Sequence, residues 1–566
     1  MRRTVDRVAP IRFPAMPLGP ATRRVGASRR APDLAAVILV LAGCLIVARV
    51  ARHATFAGDD WTFVLERRGW GLDVFLGPHG EHLSALPVLA YKLLLEVFGA
   101  GSYTPFLALA LLVHGIACLL LYVLARRRVG PWAALAPSAV LVLLGPAWQD
   151  LLWAFQVGYL GSVASGLGSV LCLERRDRRG DLAAAALLVV SLVCSSIGLA
   201  MVVLAAVLLT LDEPRRWRRL WVVGAPLLLY AIWYAGYGTS GIRSENAGRI
   251  PSYLAHAFSA ATASVTGLAQ TDRSPYVVGT TYGRFIALAL VALLVLHLVR
   301  GGRPPALTWA ATAAAFALWT AQCLASFPNG REAEQSRYQY AAAALLLLAV
   351  ASAASGRRPT LRSGGILAAV TAFAVVANTA MLRERSAFWT GNSFHVAAET
   401  GVIEVARDVV APDFVPEDVF TAAVIGVHNL PVSAGPYLSA VDAFGSPADS
   451  PEEILRRPED VREAADVVLA HAERLRLQPA GAARCRSAAA GREVPVGAGT
   501  LTAGTGPGPS AELQLRRFAD RSRHVRFTVR GGTTVRLQLP RDRSNIPWQA
   551  RLVGGQRPRL CVAGPP

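Results

Sequence analysis

The sequence predicts an all-α polytopic membrane bundle of about eleven transmembrane helices, followed by a C-terminal α+β domain rich in β-structure. Three observations support this fold class: a low charged fraction, a series of apolar segments separated by arginine clusters, and a change of composition after residue 382. The 566 residues are 53% hydrophobic and 17% charged, whereas soluble globular domains carry about 25% charged residues. An ordinary soluble enzyme is therefore excluded.

The apolar segments are long enough for such a bundle, since a bilayer span takes about 20 residues and a helix buried inside a bundle takes fewer. The stretch 182–211 has Cys194-Ser195-Ser196 in its middle, and one long helix and two short spans both remain open. We place the segments at 34–52, 104–125, 131–147, 157–173, 182–195, 197–211, 220–237, 284–299, 306–326, 339–355 and 364–382.

The formal net charge of +20 is explained by topology. Arginine clusters lie before Leu34 and at 126–128, 175–179, 215–219, 300–303 and 357–362. With all of them in the cytoplasm, the chain obeys the positive-inside rule. Residues 1–33 then form a basic cytoplasmic tail, 34–382 a plasma-membrane domain and 383–566 an extracytoplasmic domain. Charge dispersed over short loops makes no nucleic-acid-binding face.

The first outer loop, 53–103, holds two features of interest. Its apolar stretch 83–98 contains Lys92 and Glu96, and a span there would break the alternation of basic loops, so we predict an interfacial helix. The loop opens with Asp59-Asp60. Adjacent carboxylates near a membrane are costly unless used, and one of them suits proton abstraction. The alternative is that Asp59 only caps a short helix.

The same loop continues through His79, Glu81 and His82. With Asp60 these residues offer the donor atoms of a divalent metal site, for Mg²⁺ or Mn²⁺. Their spacing is too short for the H-E-x-x-H zinc pair. A polar turn before the interfacial helix is the preferred alternative.

The second outer loop, 146–156, mixes Trp148 with Gln149, Asp150 and Gln156. Aromatic rings beside amide and carboxylate groups are suited to holding a sugar, and an interfacial aromatic belt is the open alternative. The last outer loop carries Arg331, Arg337 and Tyr338.

Arginines outside the membrane run against the topological bias and therefore need another role. A guanidinium binds phosphate bidentately. The alternative for Arg331 and Arg337 is local pairing with Glu332 and Glu334.

The order of these features resembles the GT-C superfamily of polytopic membrane glycosyltransferases, which includes the protein mannosyltransferases and bacterial arabinosyltransferases. The resemblance covers roughly residues 34–382 and is carried by Gly-Asp-Asp-Trp at 58–61, Pro-His-Gly-Glu-His at 78–82 and Ser-Arg-Tyr at 336–338. The arginine-rich composition with a single lysine looks like that of a high-GC actinobacterium.

The resemblance implies sugar transfer from a polyprenyl-phosphate donor to a hydroxyl of an envelope glycan, lipid or protein, with inversion. It implies that Asp59 or Asp60 is the base, and that Arg337, with Arg331 or Lys92, binds the donor phosphate. The remaining polar residues would contact sugar or acceptor: His79, Glu81, His82, Trp148, Gln149, Asp150, Gln156 and Tyr338. The alternatives are a transporter or flippase of a lipid-linked solute and a non-catalytic envelope anchor.

The tail, 383–566, is predicted to be helical first and then β-rich. A helix pair over 452–477 is broken at Pro458, and alternating runs at 524–529 and 534–539 flank Gly531-Gly532, a hairpin signal. Cys485 and Cys561 bracket this β region and are expected to form a disulfide in an oxidising compartment. The other five cysteines fall in or beside apolar segments, as small buried hydrophobic residues do.

Overall fold

The computed structural model describes residues 21–212, 216–272, 274–326, 331–357, 360–416, 431–481, 491–521 and 523–562. Its α-helices, numbered in chain order, are α1 Ala21–Val50, α2 Asp59–Leu65, α3 Leu72–Leu76, α4 Ala85–Phe98, α5 Thr104–Val129, α6 Leu135–Val142, α7 Trp148–Leu152, α8 Val157–Leu173, α9 Arg178–Cys194, α10 Gly198–Asp212, α11 Trp221–Tyr237, α12 Ile250–Thr266, α13 Thr281–Val299, α14 Ala306–Leu324, α15 Ser336–Ala353, α16 Leu361–Val405, α17 Ala434–Phe444, α18 Pro451–Ile454 and α19 Glu459–Ala472.

Within the described residues, six helices are long and apolar enough to cross a membrane. A seventh span results if α6 and the bent segment Gly145–Leu152, which meet at 43°, count as one. These helices indicate a multi-pass membrane protein by length and composition. Each of the eleven predicted segments coincides with a helix, but the number of spans stays a prediction. The six are Arg30–Val50, Thr104–Val129, Ala154–Leu173, Thr281–Val299, Ala306–Leu324 and Leu361–Val405.

The stretch 182–211 forms two helices, α9 and α10, which settles the alternative left open above. Ser195 lies between them in an extended conformation with φ −172°. The Ser162 hydroxyl of α8 donates to the Ser191 carbonyl of α9 at 2.7 Å, and the Ser191 hydroxyl donates to the Ser162 carbonyl at 2.8 Å. These reciprocal bonds fasten α8 to α9 just before the break.

The predicted span 131–147 and the second outer loop are reorganised. The helix ends at Val142, and the chain bends through a 3₁₀ turn, Gly145–Ala147, into the buried α7. A Cβ atom on Gly145 would lie 2.2 Å from the Asn378 carbonyl oxygen of α16. The bend therefore depends on close backbone contact, and residues 146–152 pack inside the protein instead of forming an exposed loop.

The outer stretch 238–283 contains a helix that the sequence analysis missed. It holds a 3₁₀ helix, Ser244–Arg249, then α12 and the short hairpin β1 Gln270–Thr271 with β2 Val278–Gly279. α12 is rich in Ala, Ser and Thr, and its hydroxyls bond back to its own carbonyls, as Ser259 does to Ala255. Such a helix packs through small residues and lacks the strong apolar signal of its neighbours.

The last apolar helix does not end at residue 382, where the membrane domain was predicted to end. α16 continues without interruption to Val405. Its C-terminal half contributes Val396 and Ile403 to the core of the bundle and Ala398 and Val402 to the core of the C-terminal domain. The helix therefore belongs to both domains.

The C-terminal domain has the predicted order of helices followed by strands. Pro458 precedes α19, as expected of a break there. The sheet runs β3-β7-β5-β8-β4, with β6 paired to β5. Its strands are β3 Leu477–Pro479, β4 Val494–Val496, β5 Gly499–Arg516, β6 Arg526–Val529, β7 Thr534–Leu539 and β8 Trp548–Val562.

The hairpin predicted at Gly531-Gly532 is wrong. β6 pairs with residues 511–514 of β5, and β7 pairs with residues 499–504 of the same long strand. Gly531 approaches the Gly508 backbone so closely that a Cβ atom would lie 1.8 Å from the Gly508 oxygen. The two glycines thus pack on β5 instead of joining two mutually paired strands.

The cysteines divide as predicted in part. Cys44, Cys118, Cys172, Cys194 and Cys323 are free thiols within the bundle. Cys561 is disulfide-bonded, whereas Cys485 lies outside the described residues.

Candidate active site

The acidic pair lies at the first turn of α2, and the two carboxylates point to different environments. Gly58, with φ +53°, starts the helix in a conformation that favours glycine. Asp60 accepts hydrogen bonds from the Ala57 N–H at 3.0 Å, the Tyr103 hydroxyl at 3.0 Å and Trp153 Nε1 at 2.8 Å. The Tyr91 hydroxyl donates to its second oxygen.

Asp60 is therefore a buried structural carboxylate, and its assignment as a catalytic base or metal ligand is corrected. Its side chain is fully buried. Burial raises its pKa to about 7, opposed by hydrogen bonds from Tyr91, Ala57, Trp153 and Tyr103 that favour the charged form. The carboxylate has no free face for an acceptor hydroxyl, because donors from the loop, α4, α5 and the segment after α7 surround it.

Asp59 faces a cavity of about 290 Å³. Its side chain is 44% exposed, and its Oδ1 lies 3.6 Å from His79 Nε2. The His79 ring packs between Phe63 and Phe155, with ring centroids 5.4 and 5.1 Å away. The histidine is thereby fixed beside Asp59, which leaves that carboxylate as the available base.

The segment 78–82 forms the polar turn that was the preferred alternative to a metal site. The N–H groups of His79 and His82 each donate to the other residue's carbonyl at 3.0 Å. Gly80 takes the positive φ of +57° that this tight turn requires. The turn presents His79, Glu81 and His82 to the cavity.

Glu81 and Arg331 form an ion pair at 2.5 Å. The predicted alternative of local pairing was thus right in kind, but the partner is distant in sequence instead of Glu332 or Glu334. Glu334 contacts His256. The Arg331 hydrogen bond and its charge lower the pKa of Glu81 despite burial, which acts in the opposite direction. Arg331 is largely neutralised, so its role as a main phosphate ligand is corrected.

Arg337 also lines the cavity and has no such partner. Its Nε donates to Gln335 Oε1 at 3.1 Å, and its guanidinium lies 5.3 Å from the centre of the Tyr338 ring. Among the residues that the structure describes it forms no ion pair with a carboxylate. Its charge interacts electrostatically with that of Asp59. An arginine in this state is suited to an anionic ligand.

Three further side chains give the cavity unused hydrogen-bonding capacity. His82 Nδ1, Gln156 Oε1 and Gln322 Oε1 are buried and have no partner among the described residues. Burial lowers the pKa of His82 to about 4, although the Glu81 charge raises it. A neutral imidazole and two amide groups can therefore bond the hydroxyls of a ligand.

Four predicted site residues lie elsewhere. Trp148 is buried against Tyr276, Phe388 and Trp389 and donates to the Pro275 carbonyl at 3.1 Å. It packs the core and holds no sugar.

Gln149 and Asp150 of α7 are also buried away from the cavity. The Gln149 oxygen accepts from the Arg337 N–H at 3.3 Å and so positions the start of α15. Asp150 is fully buried, with neither oxygen partnered among the described residues. Their direct contact with sugar is corrected because the chain folds inward after the bend at Gly145.

Lys92 is likewise corrected. Its amino group donates to the Arg67 carbonyl at 3.0 Å and lies 4.8 Å from the centre of the Trp70 ring. It lines a separate small pocket shared with Phe444. α4 is a helix as predicted, but it turns Lys92 away from Asp59.

The sequence analysis missed the wall formed by α8, α9 and α11. Ser196 donates to the Glu81 carbonyl at 3.2 Å and contacts the Tyr230 hydroxyl at 3.1 Å, and Tyr159 lies 3.4 Å from His82 Nε2. Tyr230 and Tyr234 line the cavity. The polar break at 194–196 in an apolar stretch was a signal that could have located this wall.

The described residues contain no group of three or more His, Cys, Asp or Glu side chains that could hold a metal ion. Asp60 is enclosed by its four donors and Glu81 is bound to Arg331. The ligand set suggested by the sequence does not fit, and no step below uses a metal.

Among solved structures the chain is similar to ArnT from Cupriavidus metallidurans bound to undecaprenyl phosphate, with a TM-score of 0.42 and 13% identity. The match covers 73% of this chain and 89% of that chain. No family model matches the sequence, and no curated protein matches it. A likeness at this level establishes no family membership, so function is argued from the cavity itself.

Proposed function

We propose that the chain transfers a sugar from a polyprenyl-phosphate donor to an acceptor hydroxyl on the extracytoplasmic face of the membrane. One observation carries this proposal: a single cavity joins the partly exposed Asp59 carboxylate, the Arg337 guanidinium without an ion-pair partner, and buried polar atoms without partners. The cavity lies at the end of the bundle opposite the arginine clusters at 126–128 and 175–179, which supports an outward position.

Asp59 is the general base. It takes the proton of the acceptor hydroxyl as that oxygen forms a bond to the anomeric carbon, and the bond from this carbon to the phosphate oxygen breaks. Direct attack from the face opposite the phosphate inverts the anomeric configuration. His79, 3.6 Å from Asp59, orients the carboxylate. A positioned base of this kind contributes about 10²–10⁴-fold to the rate.

Arg337 stabilises the leaving group. The electron pair of the broken bond stays on the polyprenyl phosphate, whose added charge the guanidinium meets with two parallel N–H groups. Gln335 holds the guanidinium at Nε, and Gln149 holds the first turn of α15. The ion pair of Arg331 with Glu81 adds a nearby positive group without a net charge.

The isoprenoid part of the donor is supported by α11. Tyr230 and Tyr234 line the cavity, while Leu228 and Ile232 of the same helix are each 62% exposed. One helix thus connects the polar cavity with an apolar outer surface. A lipid carrier can lie along that surface while its phosphate reaches Arg337.

The sugar itself is matched by the unpartnered atoms of His82, Gln156 and Gln322, because each sugar hydroxyl can both donate and accept. Tyr338 and Phe155 line the same space. The cavity volume of about 290 Å³ is near the lower end of the range of about 300–1,000 Å³ found for small-molecule sites.

A radiolabelled transfer assay tests the proposal. Membranes containing the chain are incubated with a panel of polyprenyl-phosphate sugars and envelope acceptors, beside membranes from a deletion strain. We expect label in acceptor from at least one donor. Arg337→Gln should raise the donor KM at least about tenfold, because a charge-assisted phosphate contact is lost.

Arg284→Gln is the matched control, since Arg284 is exposed on α13 and does not line the cavity. Its KM should equal that of the wild type. If no donor transfers label, but labelled donor crosses sealed vesicles in a chain-dependent way, the chain is a transporter and the proposal fails. If neither occurs, the envelope-anchor alternative replaces it.

A further inference from the structure

A second pocket lies at the opposite end of the same helices, with a volume of about 370 Å³. α14 runs from this pocket, at Ala306, to the candidate active site at Ala321, and α15 runs back from Arg337 to Ser352. The two sites are therefore separated by the length of the bundle. Nothing in the proposed sugar transfer uses the second pocket.

Three guanidinium groups line this pocket against two carboxylates. Arg127 and Arg128 both contact Glu174. Arg219 pairs with Asp181 at 2.6 Å and donates to the Leu173 carbonyl at 2.9 Å. One carboxylate shared between two arginines leaves an uncompensated positive charge at the pocket.

Ser352 supplies an independent sign of a ligand. Its side chain is fully buried, it lines the pocket, and its hydroxyl has no hydrogen-bond partner among the described residues. Buried hydroxyls are normally paired, since leaving one unpaired costs about 1–3 kcal/mol. A ligand in the pocket would supply the missing acceptor.

The N-terminus of α14 also faces the pocket. The helix begins at Ala306 after Pro305, with no side chain capping its first turn. Free N–H groups and the helix dipole at such a position favour an anion. Arginine side chains and a helix N-terminus together are a typical phosphate-binding combination.

Apolar side chains complete the pocket: Leu173, Leu208, Leu209 and Leu307 line it beside the arginines. A free inorganic anion gains nothing from them, whereas an acyl chain does. The C-terminal ends of α8 and α15 also meet here, and these account for part of the preference for arginine. They do not account for the unpaired Ser352 hydroxyl.

We propose that this pocket binds the phosphate of an anionic phospholipid, with the headgroup between Arg127, Arg128 and the start of α14 and an acyl chain against the leucines. Basic pockets between transmembrane helices bind such headgroups in general. The Ser352 hydroxyl donates to a phosphate oxygen. The site is distinct from the cavity at Asp59.

Native mass spectrometry of the full-length protein in detergent, with phosphatidylglycerol or phosphatidylcholine added, tests this assignment. We expect the wild type to retain phosphatidylglycerol in preference to phosphatidylcholine. The double variant R127Q/R128Q should bind phosphatidylglycerol at least about tenfold more weakly, since charge-assisted contacts are lost. Ser352→Ala, which removes one hydroxyl without loss of charge, should weaken binding by severalfold even if the double variant fails to fold.

Arg357→Gln is the matched control, because Arg357 is exposed at the same end of the bundle and outside the pocket. Its binding should be unchanged. Equal retention by the wild type, R127Q/R128Q and Ser352→Ala would overturn the site, as would an equal loss in Arg357→Gln. If inorganic phosphate competes with phosphatidylglycerol at equimolar concentration, the acyl chain contributes nothing and the phospholipid assignment is wrong.

Discussion

Two adjacent residues with identical side chains have different roles in this fold. Successive residues of a helix point about 100° apart, so the first turn of α2 directs Asp59 to the cavity and Asp60 to the core. Four donors from separate parts of the chain converge on Asp60. Asp60 therefore organises the floor of the site, while Asp59 is available for chemistry.

Replacing Asp60 tests this division through stability. Asp60→Ala leaves the Ala57 N–H, Trp153 Nε1 and two tyrosine hydroxyls without their acceptor, which should lower the free energy of unfolding by at least about 3 kcal/mol. Asp60→Asn should cost less than half as much, because the amide oxygen keeps three donors and the amide nitrogen can donate to the Tyr91 oxygen. Chemical denaturation in detergent measures both, and equal losses would contradict the hydrogen-bond account.

The stability should also depend on pH through Asp60. Burial raises its pKa from 3.8 to about 7, partly opposed by its hydrogen bonds. Between these values the folded protein keeps a proton that the unfolded chain has lost. Stability from this group is thus fully present below about pH 4 and declines as the pH rises towards 7. We expect a smaller decline from pH 5 to 8 in Asp60→Asn, measured by unfolding temperature; an unchanged decline would show that Asp60 is not its source.

The residue types of the site were predictable, but the set that meets in space was not. The motifs at 58–61, 78–82 and 336–338 supplied Asp59, His79, His82 and Arg337. Sequence spacing cannot show that Glu81 meets Arg331, 250 positions away. It also cannot show that Lys92 faces away from the cavity, since that depends on the rotation of α4 about its axis.

At the scale of elements, the break between α6 and α7 fixes the second outer loop. Gly145 contacts α16 through backbone atoms, with a prospective Cβ 2.2 Å from the Asn378 oxygen and 2.9 Å from the Leu382 nitrogen. Backbone atoms of a long helix cannot move aside as a flexible side chain can. The bend thus requires glycine for space.

Gly145→Ala should therefore destabilise the protein by more than about 2 kcal/mol, as overpacking of a tight core does. Gly224→Ala is the matched control. Gly224 lies within α11, and nothing is within 4 Å of a Cβ placed there. Alanine at that position should be neutral or stabilising by up to about 1 kcal/mol. Thermal unfolding in detergent separates the two, and equal effects would refute the close contact.

Helices with strong apolar signals were predictable, whereas α12 was not. Its Ala, Ser and Thr residues satisfy their own hydroxyls along the helix, as Thr262 does to Phe258 at 3.0 Å. The same small side chains allow α13 to approach, since a Cβ on Gly283 would lie 2.0 Å from the Ser259 oxygen. In sequence such a segment is similar to a polar loop, because hydropathy does not record how closely backbones pack.

At the scale of the whole molecule, α16 connects the bundle to the C-terminal domain as one helix of 45 residues. The composition change at 382 marks where it leaves its apolar surroundings and not where it ends. The fold class and the order of the tail's elements followed from composition and periodicity. The strand pairing did not, because β5 is long enough to pair with β6, β7 and β8.

The central claim is that sugar transfer occurs at Asp59, with Asp60 supporting the fold. The most direct measurement compares initial rates of transfer from the active donor for Asp59→Asn and Asp60→Asn, each corrected for the amount of folded protein. We predict a loss of about 10²–10⁴-fold for Asp59→Asn and less than about tenfold for Asp60→Asn. Wild-type rates in Asp59→Asn, or the larger loss in Asp60→Asn, would contradict the account.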